Sequence, residues 1–109
     1  MPDLRRYSNL ADFIEKNSFD YVAGIGLNLT HIVSLESPLD LSQPILRQRR
    51  FAWFRSDGCK PLITRVPLRW CTGFHACDQP IDIDPNLFVL HLKTMDYDLA
   101  LKKQRQIER

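Results

Sequence analysis

Two histidines in the last third of the chain have the side chains best suited to site chemistry. His75 follows a flexible glycine in the run Gly73-Phe-His-Ala, and His91 ends the apolar run Leu87-Phe-Val-Leu-His. A neutral imidazole at either place can bind a divalent metal or take part in acid–base chemistry. Each histidine also has a structural alternative: His75 as a turn residue at the surface, and His91 as a partner of a backbone carbonyl.

Seven basic side chains lie between residues 47 and 69, against one acidic side chain. Such a segment can hold phosphates or an anionic acceptor, and it can equally be a set of strands with a solvated basic face. Within it, Lys60 and Arg65 flank a short predicted strand. Arginine grips phosphate or carboxylate through two hydrogen bonds, whereas lysine acts as a point charge. Lys60 and Arg65 are therefore candidate substrate-binding residues.

Aromatic side chains supply a third kind of candidate. Trp70 can stack on the apolar C–H face of a sugar ring, and Trp53 and Phe54 share that chemistry. Packing in the core is the alternative for each of the three. Trp70 joins His75, Lys60 and Arg65 as a candidate substrate-binding residue.

The three cysteines, Cys59, Cys71 and Cys77, predict free thiols. The spacing around His75 lacks the paired Cys-x2-Cys of a structural zinc site, and no local motif selects one thiol as a nucleophile. His31 lies within a strand pattern, which favours a structural role for its imidazole.

The N-terminal part of the sequence predicts a short helix and a strand. Ser8 is the expected N-cap, and Asn17 is expected to end the helix in a left-handed turn. The segment from Tyr21 to Val33 predicts one long strand, or two short strands broken at Gly24. Glycine inside a strand often marks a bulge or the close approach of a ligand or of another backbone segment.

The later elements follow from turn residues and apolar runs. Residues 34–46 predict a loop with at most one helical turn, and residues 76–86 predict a polar loop. Strands are predicted at 51–54 and 62–66, joined by a turn at 56–58. The run 87–91 predicts a strand covered on both faces, and Asp96 is expected to cap a closing helix.

Length and composition predict a single domain over residues 1–109, because one hydrophobic core suits a chain of 109 residues that is 44% hydrophobic. The predicted fold class is α/β (α+β), a small mixed or antiparallel sheet flanked by an N-terminal and a C-terminal helix. No apolar run is long enough to cross a membrane and no signal-type segment follows Met1, so we expect a cytoplasmic protein without a membrane span. The net charge of +2 gives no indication of a nucleic-acid partner, and none is expected.

A series of short motifs is spread over nearly the whole chain. In order they are Pro2-Asp3, Pro38-Leu-Asp40, Gln48-Arg49-Arg50, Cys59-Lys-Pro61, Thr64-Arg65, Trp70, Gly73-Phe-His75, Asp84-Pro85 and His91-Leu-Lys93. Each motif is weak alone, but their order resembles the C-terminal portion of bacterial family 2 glycosyltransferases of the metal-dependent GT-A type. The resemblance implies a partial GT-A domain that carries the acceptor side of the enzyme.

The same resemblance implies transfer of a sugar from a nucleotide sugar to a saccharide acceptor, with Mg²⁺ or Mn²⁺ in the complete enzyme. In such enzymes an Asp-x-Asp followed by an acidic residue holds the metal, and a late histidine completes its shell. His91 is the first candidate for that histidine and His75 the second. Neither Asp82-Ile-Asp84 nor Asp96-Tyr-Asp98 stands at the family's position. We therefore expect no metal to bind this chain alone, and no catalysis by it.

A different class of function remains open, namely a stand-alone interaction or structural module without catalysis. If the chain is instead part of a glycosyltransferase, terminal helices with one apolar side and a sheet with an open edge would leave apolar surface exposed where the missing half would pack. Homo-oligomers formed through that exposed face are therefore expected.

Overall fold

The computed structural model describes residues 1–72 and 76–107. Within these ranges the chain is mixed α/β, with three α-helices, one 3₁₀ turn and a small antiparallel sheet of four strands. In chain order the elements are α1 (Leu10–Lys16), β1 (Tyr21–Thr30), α2 (Ile45–Gln48), β2 (Phe51–Phe54), the 3₁₀ turn (Ser56–Gly58), β3 (Pro61–Thr64), β4 (Ile83–His91) and α3 (Tyr97–Ile107). The predicted α/β class, the antiparallel sheet and the helix near each end are confirmed, and the partial GT-A domain stays a prediction.

The chain divides into two compact units. The first unit comprises Met1–Leu27 and Phe54–Leu90, and the second comprises Asn28–Trp53 and His91–Arg109. Strand β1 pairs with each of the other three strands, in the order β2-β1-β3 with β4 also on β1. The predicted single domain over residues 1–109 stays a prediction.

The N-cap of helix α1 lies one residue later than predicted. Asn9 is the N-cap, and its Oδ1 accepts a hydrogen bond from the backbone N–H of Asp12 at 2.9 Å. Asp12 in return accepts from the backbone N–H of Ser8 at 2.9 Å. The prediction of Ser8 as the cap is wrong because the Asn9 amide oxygen takes that role, which asparagine fills as well as serine does.

The end of α1 is also built differently from the prediction. Asn17 has extended backbone angles (φ −120°, ψ 143°) and forms no left-handed turn. Its Nδ2 instead donates to the carbonyl of Phe13 at 2.7 Å. Arg65 Nη2 donates to the carbonyls of Ile14 at 2.7 Å and Asn17 at 3.2 Å. Side-chain donors thus satisfy the last carbonyls of the helix, so the chain needs no left-handed residue there.

Phe13 forms the centre of the core of the first unit. It is fully buried, and Val22 of β1 and Leu87 of β4 are 5% and 1% exposed beside it. The Tyr7 ring meets the Phe13 ring edge-on, with centroids 5.0 Å apart. Aromatic pairs favour this geometry because the positive ring edge faces the negative ring face.

Strand β1 is continuous, which decides between the two predicted alternatives. Its glycines mark close approaches of other chain segments, as predicted. A Cβ on Gly26 would lie 2.7 Å from the carbonyl oxygen of Gly58 and 2.8 Å from that of Arg55. A Cβ on Gly24 would lie 2.9 Å from Leu62 Cδ1 and 3.0 Å from the carbonyl oxygen of Leu87. Only glycine lets these segments pack so closely against β1.

Strand β4 differs from its predicted form at its start and in its burial. It begins at Ile83, inside the segment predicted to be a polar loop, and only Leu87 in it is fully buried. Pairing with β1 accounts for the early start, because the backbone N–H of Ala23 donates to the carbonyl of Asp82, directly before β4, at 2.8 Å. Further along the strand, the backbone N–H of Asp3 donates to the carbonyl of Asn86 at 2.7 Å. In the predicted strand 87–91, Leu87 is buried but residues 88–91 are only half-buried, so the prediction of a strand covered on both faces is wrong.

Apolar side chains remain at the surface in several places. Phe51, Trp53 and Phe54 of β2 are 40%, 51% and 60% exposed. Exposed apolar surface of this kind favours association, and the predicted homo-oligomer stays a prediction. Within residues 1–72 and 76–107, no helix combines the length and apolar character needed to cross a bilayer.

The glycine contacts give a stability prediction. Gly26→Ala should lower the free energy of unfolding by about 3 kcal/mol, because its methyl group meets two backbone carbonyls that cannot move independently. Gly24→Ala should cost less, since the atom nearest its methyl group belongs to the movable Leu62 side chain. Urea unfolding followed by tryptophan fluorescence measures both, and an equal or smaller loss for Gly26→Ala would contradict the packing described.

Candidate functional site

His91 is the last residue of β4 and lies in the second unit, where it is half-buried. It lines a cavity of about 430 Å³ together with Lys93, Asp96 and Lys103; the remaining lining residues are Leu92, Met95 and Leu99. The strand thus ends at a cavity whose lining is partly charged and partly apolar. His91 as a metal ligand stays a prediction.

A buried carboxylate forms one wall of this cavity. Asp96 is 5% exposed. Its Oδ1 accepts from the backbone N–H of Leu39 at 3.0 Å, and its Oδ2 accepts from that of Leu99 at 3.1 Å. The second bond caps α3, which confirms the predicted role of Asp96. Acceptor oxygens at a helix start are favoured because the first N–H groups of a helix lack partners within it.

The environment of Asp96 keeps it ionised. The backbone N–H of Leu39 makes the largest contribution, and it lowers the pKa of the carboxyl below its ordinary value. Burial opposes this effect, while the Leu99 N–H and the nearby His31 and Arg49 lower the pKa further. Asp96 is therefore an anion at neutral pH with both oxygens already bonded.

Arg49 is the cationic partner of this carboxylate. Its side chain is fully buried, and Nη2 donates to Asp96 Oδ1 at 3.1 Å. The rest of the guanidinium donates to backbone carbonyls: Nε to Met95, and Nη1 to Ser37 at 2.9 Å and Gln48 at 3.2 Å. A buried charge is tolerated when its donors are used in this way. Sequence reasoning placed Arg49 in a basic run and did not identify it as buried.

His31 completes the cluster, and its contacts confirm the predicted structural role. Its Nδ1 accepts from the backbone N–H of Tyr97 at 3.0 Å, and its Nε2 lies 3.0 Å from the carbonyl oxygen of Glu36. Because Nδ1 accepts, the ring proton belongs on Nε2, which donates to Glu36. Nδ1 is 3.7 Å from Asp96 Oδ1. We name His31, Arg49 and Asp96 the buried cluster.

The predicted substrate-binding residues that the structure describes lie in the first unit. Lys60 and Arg65 flank β3, as predicted, but the Arg65 guanidinium caps α1 and lies 4.5 Å from the centroid of the Phe19 ring. Trp70 is 37% exposed, and its backbone pairs with that of Cys77 in a single antiparallel β-bridge. His75 lies outside the described residues. Substrate binding by these four residues stays a prediction.

The described residues do not form a complete site for Mg²⁺ or Mn²⁺. In residues 1–72 and 76–107, no three histidine, cysteine, aspartate or glutamate side chains come together as a metal ion would require. The carboxylate nearest His91 in the sequence is that of Asp96, and its oxygens are taken by N–H groups and Arg49. Hard cations prefer several oxygen ligands, which His91 cannot replace.

The buried cluster predicts a large effect of a single substitution. Asp96→Ala should lower the free energy of unfolding by about 3–5 kcal/mol, because it leaves the Arg49 charge buried without its counter-ion. Asp98→Ala is the matched control: it removes an exposed carboxylate from the first turn of the same helix and should cost under about 1 kcal/mol. Similar losses for the two variants, measured by chemical denaturation, would show that the cluster does not stabilise the fold.

The lowered pKa of Asp96 predicts the direction of a pH dependence. The unfolded chain, with an ordinary aspartate pKa of about 3.9, binds the proton at higher pH than the folded chain does. The stabilisation is therefore present in full above that pH and is lost as the pH falls through the lowered pKa of the folded state.

Asp96→Asn should flatten this part of the curve of unfolding free energy against pH, whereas Asp98→Asn should leave it unchanged. Some slope remains in the Asp96 variant, since the pKa of Asp3 is lowered to about 2 by its bonds with Arg5. An unchanged slope in Asp96→Asn would refute the assignment.

Comparison of the chain with protein-family models, with curated proteins and with solved structures finds no match.

Proposed function

We propose that this chain is the C-terminal, acceptor-side portion of a nucleotide-sugar-dependent glycosyltransferase of the GT-A type, and that it is inactive alone. The proposal is supported by the order of the motifs along the chain, among them Cys59-Lys-Pro61 and His91-Leu-Lys93. The position of His91 beside a cavity also supports it, because ligands generally bind in concave surfaces of a protein.

The cavity beside His91 is the observation that carries the proposal. Two lysines, Lys93 and Lys103, line it together with the imidazole. The carboxylate of Asp96 is largely neutralised by Arg49 and two backbone N–H groups, so the lysines dominate the charge of the cavity. A positively charged concave surface attracts an anion such as a nucleotide diphosphate.

Transfer of a sugar from a nucleotide sugar needs groups that this cavity does not supply. A departing diphosphate must be stabilised by a metal ion or by several fixed donors. The described residues lack the ligand set for the metal, so under this proposal the Asp-x-Asp carboxylates come from residues outside this sequence. His91 would then contribute one ligand, and Lys93 and Lys103 would hold the anionic leaving group.

The exposed aromatic side chains of β2 favour a second candidate function, a stand-alone interaction module. Phe51, Trp53 and Phe54 are each at least 40% exposed. A strand that shows this much apolar surface can serve as a contact surface for another protein. Such a module would catalyse no sugar transfer in any longer form of the protein.

The glycosyltransferase proposal makes one prediction for the 109-residue chain and another for a longer protein. The purified 109-residue chain should show no turnover of any nucleotide sugar, with or without Mg²⁺ or Mn²⁺. The DNA upstream of the Met1 codon should encode, in frame or after a frameshift, an Asp-x-Asp followed by an acidic residue, and the longer protein should release nucleoside diphosphate from a nucleotide sugar.

In that longer protein His91→Ala should lower kcat by about 100-fold, because one metal ligand is lost. Lys102→Ala removes an exposed cation of α3 that lies outside the His91 cavity, and it should leave kcat within about twofold. Turnover by the 109-residue chain alone, or equal activity of the two variants, would count against the proposal.

A further inference from the structure

A second cavity in the second unit holds cationic groups that the fold does not use. Its volume is about 560 Å³, and Arg47, Arg50, Glu36 and Phe51 line it; the other lining residues are Leu35, Ser37, Pro38, Gln48 and Arg49. All of these residues belong to the second unit. The cavity is separate from the one beside His91, since the two have no lining residue in common.

The walls of this cavity are held by side-chain bonds to the backbone. Glu36 accepts from the backbone N–H groups of Ile32 at 3.0 Å and Arg50 at 2.9 Å. Gln48 Nε2 donates to the carbonyl of Asp40 at 2.8 Å, and its Oε1 accepts from the N–H of the same residue at 2.7 Å. Together with the Arg49 bonds to Ser37 and Gln48, these contacts fix the cavity before any ligand binds.

The charges on the lining residues leave the cavity positive. Arg49 is neutralised by Asp96. Burial has the largest single effect and would raise the pKa of Glu36, but the N–H groups of Ile32 and Arg50 together with the nearby Arg49 and His31 lower the pKa below its ordinary value, so one negative charge remains. Arg47 and Arg50 are exposed, and among the described residues neither guanidinium has a hydrogen-bond or ion-pair partner. Two cations against one anion favour an anionic ligand.

The rest of the lining indicates what the anion is attached to. Leu35, Pro38 and Phe51 contribute apolar surface, and Phe51 is 40% exposed. A sugar ring presents hydroxyl groups and an apolar C–H face, and an aromatic side chain packs against that face. A pyranose that carries a carboxylate therefore matches both the arginines and the apolar wall.

We propose that this cavity binds an acidic saccharide, with Arg47 and Arg50 on the carboxylate of a uronic acid and Phe51 against its ring. Arginine suits the carboxylate because its planar fork donates two parallel hydrogen bonds. If the proposed sugar transfer is correct, the site deepens it by making the acceptor an acidic saccharide; the binding itself does not depend on transfer.

The test is a calorimetric or NMR titration of the 109-residue chain with glucuronate, glucose and inorganic phosphate. Glucuronate should bind at least about tenfold more tightly than either of the others, since glucose lacks the charge and phosphate lacks the ring. The double variant Arg47→Ala/Arg50→Ala should weaken glucuronate binding by at least about tenfold, and Arg50→Lys should lie between it and the unaltered chain.

Lys102→Ala/Arg105→Ala is the matched control, because it removes two exposed cations of α3 that do not line the cavity. It should leave the affinity for glucuronate within about twofold. Circular dichroism verifies that each variant keeps its fold.

Four outcomes overturn the proposal: no glucuronate binding, equal binding of phosphate and glucuronate, equal losses in the two double variants, or, in a parallel titration, tighter binding of a short single-stranded oligonucleotide than of glucuronate. The last outcome would make the ligand a nucleic acid. If glucuronate binds but no longer protein transfers a sugar, only the proposed glycosyltransferase function is refuted. Failure of the saccharide site and failure of the proposed function are therefore distinguishable.

Discussion

The buried ion pair between Arg49 and Asp96 is the interaction on which the second unit depends. Removing two charges from water is favourable only when their remaining donors and acceptors are also used. Here the guanidinium bonds to Ser37, Gln48 and Met95, while the carboxylate bonds to Leu39 and Leu99. Among the described residues, no buried side-chain nitrogen or oxygen lacks a partner. The pair thus positions the start of α3, the end of α2 and the loop between β1 and α2.

Each member of this pair lines one of the two cavities described above. Arg49 lines the cavity with Arg47 and Arg50, and Asp96 lines the cavity with His91. Because each member neutralises the other, the charge that a ligand would meet comes from other side chains. Those side chains lie at the surface, where a cation keeps its hydration until a ligand replaces it. The fold therefore separates the charges that stabilise it from the charges available for binding.

The first unit uses its polar side chains mainly for structure. Arg65 and Asn17 satisfy the last carbonyls of α1, and the close packing at Gly24 and Gly26 holds neighbouring segments against β1. Arg55 pairs with Asp57 across the 3₁₀ turn. An arginine whose donors are engaged in this way must break those bonds before it can hold a substrate, which lowers its net contribution to binding.

Local sequence alone determined the elements whose signals lie within a few residues: α1, β2, the turn at 56–58, and the cap of α3 at Asp96. Even there, neighbouring residues with similar chemistry shift a boundary, as Asn9 and Ser8 do. Only the tertiary structure decided the early start of β4, which begins where the chain meets Ala23 of β1, and the burial of Arg49, whose partners Met95 and Asp96 lie 46 and 47 residues away. Propensities and turn signals act between adjacent residues, whereas burial and pairing depend on which distant segments meet. For the same reason the local motifs could indicate His91, whereas they could not indicate the cavity lined by Arg47 and Arg50. That cavity forms only where the buried cluster holds distant segments together.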